Sequence, residues 1–180
     1  MNKKYAILII IVLLSVPSLI ISYRNAISGT VIDAETGKPI EGAVVLVEWT
    51  KAVGIGDYHT CSVKIVEKIT DKKGKFIVFG PFQPFFDPVD VTIYKKGYVA
   101  WNNRIIFPDY RERTNLIWKS GYTIKMEKFK EEYSYDKHED FIRMCINSSL
   151  NIKAKKVIYD AFDWERKLAF HERMKKRGQQ

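Results

Sequence analysis

A chain of 180 residues with 46% hydrophobic side chains and a net charge of +9 can fill one core of ordinary size and is too apolar to be disordered throughout. The charge is uneven: residues 27–150 carry 18 basic and 17 acidic side chains, whereas residues 151–180 carry nine Lys and Arg against four acids. Basic groups gathered at one terminus, rather than over one folded surface, argue against a nucleic-acid partner. They leave a basic tail that is either a solvated helix face or a surface for anionic partners.

Lys3 and Lys4 precede an apolar run, Tyr5 to Ile21, interrupted only by Ser15, Pro17 and Ser18. A basic segment followed by an apolar one reads as a signal peptide or an uncleaved hydrophobic membrane helix over residues 1–26. The small-x-small pattern of a signal-peptidase site is poorly formed, because Arg24 stands two residues before Ala26. No cysteine follows the run, which excludes a lipoprotein anchor. Either way Lys3 and Lys4 stay in the cytoplasm, and the chain after Ile21 is exported to the periplasmic or extracellular face.

Ile27 to Asp33 alternates as a first strand, and Ala34 to Pro39 turns the chain, with Gly37 free to take positive φ. Ala43 to Thr50 is a second strand that places Val45, Val47 and Trp49 on one face and Val44, Leu46 and Glu48 on the other. Lys51 to Tyr58, with Gly54 and Gly56, is expected to be a loop. Thr60 to Thr70 then meets Phe76 to Phe79 through Asp71-Lys72-Lys73-Gly74, where Asp caps a type I turn and Gly ends it. Gly80 to Pro88 holds three prolines and three phenylalanines and cannot be a central strand. Val89 to Tyr94 alternates, Gly97 reverses the chain, and Tyr98 to Phe107 is extended. Pro108 to Lys119 is polar and charged, and Gly121 to Lys128 makes a last strand.

Short β-branched and aromatic runs with turns at roughly ten-residue spacing mean an antiparallel β-sandwich of about seven strands. The ordered set Gly29-Thr30-Val31-Ile32-Asp33, Thr36-Gly37-Lys38-Pro39-Ile40, Gly42-Ala43-Val44-Val45, Thr70 to Phe76 and Tyr94-Lys95-Lys96-Gly97-Tyr98 resembles the carboxypeptidase regulatory-like domain. That family implies a Greek-key, transthyretin-like (prealbumin-like) sandwich, here over residues 27–128, acting as an accessory module without catalytic residues. Residues 129–180 form a basic helical extension. Phe129 to Asp140 is a linker or helix start, and beyond Asp140 apolar residues recur at helical spacing (Phe141, Met144, Cys145, then Ala154, Val157, Ile158, Ala161, Trp164, Leu168), which predicts one or two helices.

Candidate chemistry is sparse. His138-Glu139 and His171-Glu172 each begin a zinc-protease helix signature, but the positions that need a second His hold Ile142 and Lys175. The ending Lys176-Arg177-Gly178-Gln179-Gln180 shares only two residues with the Tyr-Arg-Gly-Ser terminus of transthyretin-like hydroxyisourate hydrolases. Asp57, His59 and Cys61 alternate on one face of an extended chain and are right in type for a transition metal or a small hydrolase, with a polar hairpin end as the alternative. No cofactor is called for. Cys61 and Cys145, in an exported chain, form a candidate disulfide closing a loop of 83 residues, with two buried free thiols as the alternative. Phe82, Phe85, Phe86, Trp101, Phe107 and Tyr110 concentrate aromatic area in two Pro-containing regions. They form either a binding patch for an envelope protein, peptide or glycan, or the surface that the C-terminal helices cover. Asn147-Ser148-Ser149 matches a glycosylation sequon. The expected role is non-catalytic, binding or support at the cell envelope. The competing roles are an enzyme at the Asp57, His59, Cys61 edge and an adaptor that binds anionic surfaces through the basic tail.

Overall fold

The computed structural model describes residues 26–53, 59–81, 89–114, 116, 121–146 and 152–178, with only the backbone described for residues 52, 53, 59–61 and 152. The apolar run at residues 5–21 therefore lies outside the described residues, and within them no helix is long and apolar enough to cross a membrane.

The described residues are mainly β, with nine strands followed by two α-helices: β1 (Ala26–Asp33), β2 (Val44–Val53), β3 (His59–Ile69), β4 (Lys75–Phe79), β5 (Val89–Tyr94), β6 (Trp101–Asn102), β7 (Ile105–Ile106), β8 (Arg111–Glu112), β9 (Tyr122–Met126), α1 (Tyr135–Cys145) and α2 (Lys156–Arg177). Seven strands make two sheets, in the orders β4-β1-β9 and β3-β2-β5-β6, while β7 and β8 form a small separate hairpin. Val31, Phe76, Val78, Ile124 and Met126 of the first sheet pack with Val45, Val47, Trp49, Val91, Ile93 and Trp101 of the second. The sandwich and its seven strands follow from the alternation.

The other face of the second sheet is buried as well. Val44, Leu46 and Tyr94 join Phe141, Ile142, Cys145, Ile146, Ile158 and Phe162 of the helices in a second core. The two faces read from the sequence of β2 thus go to two different cores, and the molecule has three layers: sheet, sheet and helix pair. A strand buried on both faces is written as an almost unbroken apolar run, as in Val44 to Val47.

Three expectations change. The sandwich is not wholly antiparallel, because β1 and β9 pair in parallel, Gly29 opposite Tyr122 and Asp33 opposite Met126. Eighty-eight residues separate them, so no hairpin turn dictates their direction. The β2–β3 pairing runs past Thr50 to Val53 opposite His59, with a register shift at Trp49/Thr50. A bulge of this kind absorbs an extra residue and lets pairing resume, which shortens the expected loop at Lys51 to Tyr58. The expected extended stretch Tyr98 to Phe107 breaks into β6 and β7, since Asn102 Oδ1 accepts from the amides of Arg104 and Ile105 and bends the chain. Of the two readings of Phe129 to Asp140, linker or helix start, the second holds from Tyr135, where α1 begins, capped by the Ser134 side chain, which accepts from the amide of Lys137.

Two turns set the register. Asp71 Oδ1 accepts from the amides of Lys73 and Lys75, each at 2.8 Å, and Gly74 closes the turn at φ +69° with its carbonyl accepting from Val31 at 2.8 Å. After β1, Asp33 Oδ1 accepts from the amides of Glu35 and Thr36, and Oδ2 accepts from the Tyr98 hydroxyl at 2.9 Å. The Thr36 amide is the largest influence holding the Asp33 carboxyl at about 2, below its usual 3.8.

Two outcomes follow. Gly74→Ala would place Cβ 2.3 Å from the Val31 carbonyl oxygen at a positive φ, so urea denaturation should show a loss of about 2 kcal/mol or more. Asp33 stabilises the fold fully above pH 3.8, and that contribution is lost as pH falls through about 2. Asp33→Asn should accordingly flatten the acid limb of the thermal midpoint in that window.

Candidate functional site

The residues singled out in the sequence are only partly described. Asp57, Phe82, Phe85 and Phe86 lie outside the described residues. His59 and Cys61 stand opposite Val53 and Lys51 at the far end of the β2–β3 ladder. Among the described residues no group of three or more His, Cys, Asp or Glu is placed to hold a metal.

The disulfide is not formed: Cys145 is a buried free thiol. It packs in the second core at the end of α1, and burial pushes its thiol well above the usual range.

The aromatic patch is also corrected for its three described members. Trp101 belongs to the core between the sheets, with the Arg113 guanidinium 5.0 Å from its ring centre. Phe107 belongs to the second core, edge-on to Phe141 at 5.6 Å and Tyr133 at 5.1 Å. Tyr110 packs against Phe141 and donates its hydroxyl proton to the Lys137 carbonyl at 2.8 Å. Phe107 is thus covered by the helices, the second of the two alternatives, because an amphipathic helix needs apolar surface to bury, whereas Tyr110 touches α1 and stays 36% exposed.

What the structure does gather, and the sequence did not announce, is a polar seam inside the second core. Lys155, only 2% exposed, places Nζ 2.8 Å from Glu48 Oε2 and also donates to the Ile146 carbonyl. Glu48 in turn accepts from the Ser62 hydroxyl. Further along the sheet, the Ala100 amide donates to His138 Nε2 at 2.9 Å. A backbone N–H can only donate, so Nε2 is the bare nitrogen and the ring proton sits on Nδ1, which bonds Glu165 Oε1. Glu165 Oε2 accepts from the Tyr94 hydroxyl at 2.9 Å, and the Tyr94 oxygen accepts from Trp164 Nε1 at 2.8 Å. Burial, followed by the Glu165 carboxylate, raises the Tyr94 hydroxyl far above its usual range and keeps it a donor.

Two further carboxylates cap the helices from a distance. Glu67 of β3 accepts from the amides of Val157 and Ile158 at 2.9 and 2.8 Å, where α2 begins without a side-chain cap of its own. Glu172 of α2 accepts from the Ser134 hydroxyl and from the amides of Tyr135 and Asp136 at the start of α1. Each places negative charge on the positive end of a helix. Burial works against ionisation of Glu172, but these bonds outweigh it and hold the carboxyl below its usual range.

Asp90, 4% exposed, has Arg104 Nε 2.7 Å from Oδ1, close enough for ion pairing though Oδ1 has no aligned hydrogen bond. Desolvation is the main cause of its raised pKa.

Chemically the seam is closed. Both nitrogens of His138 are engaged, Glu165 and Glu48 are shared between helix and strand, and the Lys155 ammonium is held by a carboxylate and a carbonyl. The open feature of the helix pair is on its solvent side, a groove lined by Arg143 of α1 and by Arg166, Phe170, Arg173, Met174 and Arg177 of α2.

No family model and no curated protein matches this chain. Among solved structures it is similar to a streptococcal ancillary pilin, with 18% identity and a TM-score of 0.32 over 59% of this chain and 30% of that one. It is similar also to the C-terminal domain of the shaft pilin spaA from Lactobacillus rhamnosus GG, with 18% identity and a TM-score of 0.30 over 58% of this chain and 98% of that one. A 9R-lipoxygenase from Cyanothece shows 18% identity and a TM-score of 0.30 over 73% of this chain and 23% of that one. The chain spans less than a third of the length of the ancillary pilin.

Removing one partner of the buried ion pair leaves the other charge stranded. Lys155→Met should therefore cost about 3–5 kcal/mol in urea denaturation, and adding Glu48→Leu should recover a large part of that loss. A double variant no more stable than the single one would mean that the pair is not the dominant contact.

Proposed function

We propose that the chain is a non-catalytic module of the cell envelope, in which a transthyretin-like sandwich of the carboxypeptidase regulatory-like kind serves as a rigid mount for a basic helix pair. The observation that carries this proposal is the closed seam. The buried groups that an enzyme would use, His138, Glu165, Glu48 and Lys155, are spent on joining the helices to the second sheet.

The layout suits a tethered mount. The Ala26 end of β1 lies beside Phe79, whose carbonyl accepts from Lys64, the partner of Trp49. The Asp33 end lies beside Tyr98. Seven strand steps of about 3.3 Å separate these ends by about 23 Å. The helix α2 starts over Glu67 and Glu48 and reaches the Tyr94 level at Glu165, so its basic last turns lie toward the end away from Ala26. A membrane segment at residues 5–21 would hold the Ala26 end near the bilayer and present the basic helix end outward.

Protease added to intact spheroplasts that express the full chain with a C-terminal tag should digest the part after residue 26. Full protection would place that part in the cytoplasm and contradict the proposal. Elemental analysis of the purified chain separates the enzyme alternative: stoichiometric zinc or copper, lost in His59→Ala, would overturn the non-catalytic assignment.

A further inference from the structure

The groove between the two helices has a composition that the mount itself does not need. Phe170 and Met174 are 58% and 50% exposed, one helical turn apart and on the same side of α2. Around them stand four arginines and Lys167, against two carboxylates, Glu139 and Asp163. Both carboxylates are already shared. Glu139 meets Arg173 at 2.7 Å and Arg143 at 3.5 Å, and Asp163 meets Lys167 at 2.8 Å and Arg166 at 3.5 Å. The exposed Arg177 adds to the excess in the last turn of α2, where the negative end of the helix also favours cations. Arg173 is held by Asp136 as well, at 3.0 Å, yet the groove is still lined by more cations than carboxylates, beside two exposed apolar side chains.

We propose that this groove is a docking site for an acidic segment of a partner protein that carries an aromatic or aliphatic side chain between its carboxylates. Guanidinium forks pair with carboxylates bidentately, which fixes geometry as well as charge. Phe170 and the adaptable Met174 receive the apolar side chain. A bilayer is the less suitable occupant, because a flat surface meets the crests of two helices while the arginines line the hollow between them. The inference deepens the proposed role by giving the outward-facing helices a partner class, and it is tested in solution without reference to export.

The test uses the full chain in nanodiscs of zwitterionic lipid. The probe is a fluorescein-labelled synthetic peptide of alternating Asp and Glu with one central Phe, followed by anisotropy, and unlabelled phosphatidylglycerol vesicles serve as competitor. Saturable binding is expected, weakened by added salt and weakened about tenfold or more by Phe170→Ser, by Arg166→Gln with Arg177→Gln, and by omission of Phe from the peptide. All three sites are exposed, so circular dichroism and the thermal midpoint of the variants should match those of the parent. The proposal is overturned if the peptide does not saturate the protein, if the substitutions leave the affinity unchanged, or if the vesicles displace the peptide. Displacement would make the groove a membrane-surface site instead.

Discussion

The second sheet has to be covered on both sides, and the rest of the structure depends on that constraint. Val44 and Leu46 on one face of β2 and Val45 and Val47 on the other are at most 5% exposed. The first sheet can cover only one of these faces. At about 25 cal/mol per Å² of apolar surface, leaving Leu46, Tyr94 and Val44 in water would forgo several kcal/mol, a large fraction of the net stability of a small domain. The helices are consequently the third layer of one body. The polar seam fixes their placement, since apolar packing alone tolerates sliding and a set of directional bonds from Glu67, Glu48, Ala100 and Tyr94 does not.

Local chemistry was legible in the sequence. The alternation in β1, β2, β4 and β5, the two faces of β2, and the turns at Gly37 and Gly74 all depend on residues a few positions apart, which is the range over which pattern and propensity speak. Long-range terms were not legible. The parallel pairing of β1 with β9, the bulge at Trp49/Thr50, and the capping of α1 by Glu172 and of α2 by Glu67 join residues far apart in the chain. The helical stripe shows how such a term misleads. Counting apolar residues placed Val157 and Leu168 on the buried face, yet they are 39% and 38% exposed, while Ile158, Phe162, Glu165 and Ala169 are buried. A glutamate on the core side moves the apparent stripe by one position, and only its bonds to His138 and Tyr94 explain why it belongs there. The same local view joined Trp101, Phe107 and Tyr110 into one patch, although Asn102 bends the chain between the first two and sends them to different cores.

For function, the division of charge matters more than its total. The seam consumes buried charges in pairs and offers nothing to a substrate. The solvent side of the same helices keeps surplus cations beside exposed Phe170 and Met174. In the proposed role, the sandwich and the seam would hold the helix pair still, which limits the ordering cost of a contact made by its outer face.

Native-state hydrogen exchange on the full chain tests the central claim most directly, namely that helices and sandwich form a single cooperative body. Amides of Ile158, Phe162 and Phe141 should open only with those of Val45, Val47 and Ile93, at the free energy of global unfolding. Exchange of the helical amides orders of magnitude faster than that of the strands would show the helices to be a loosely docked appendage and would contradict the account.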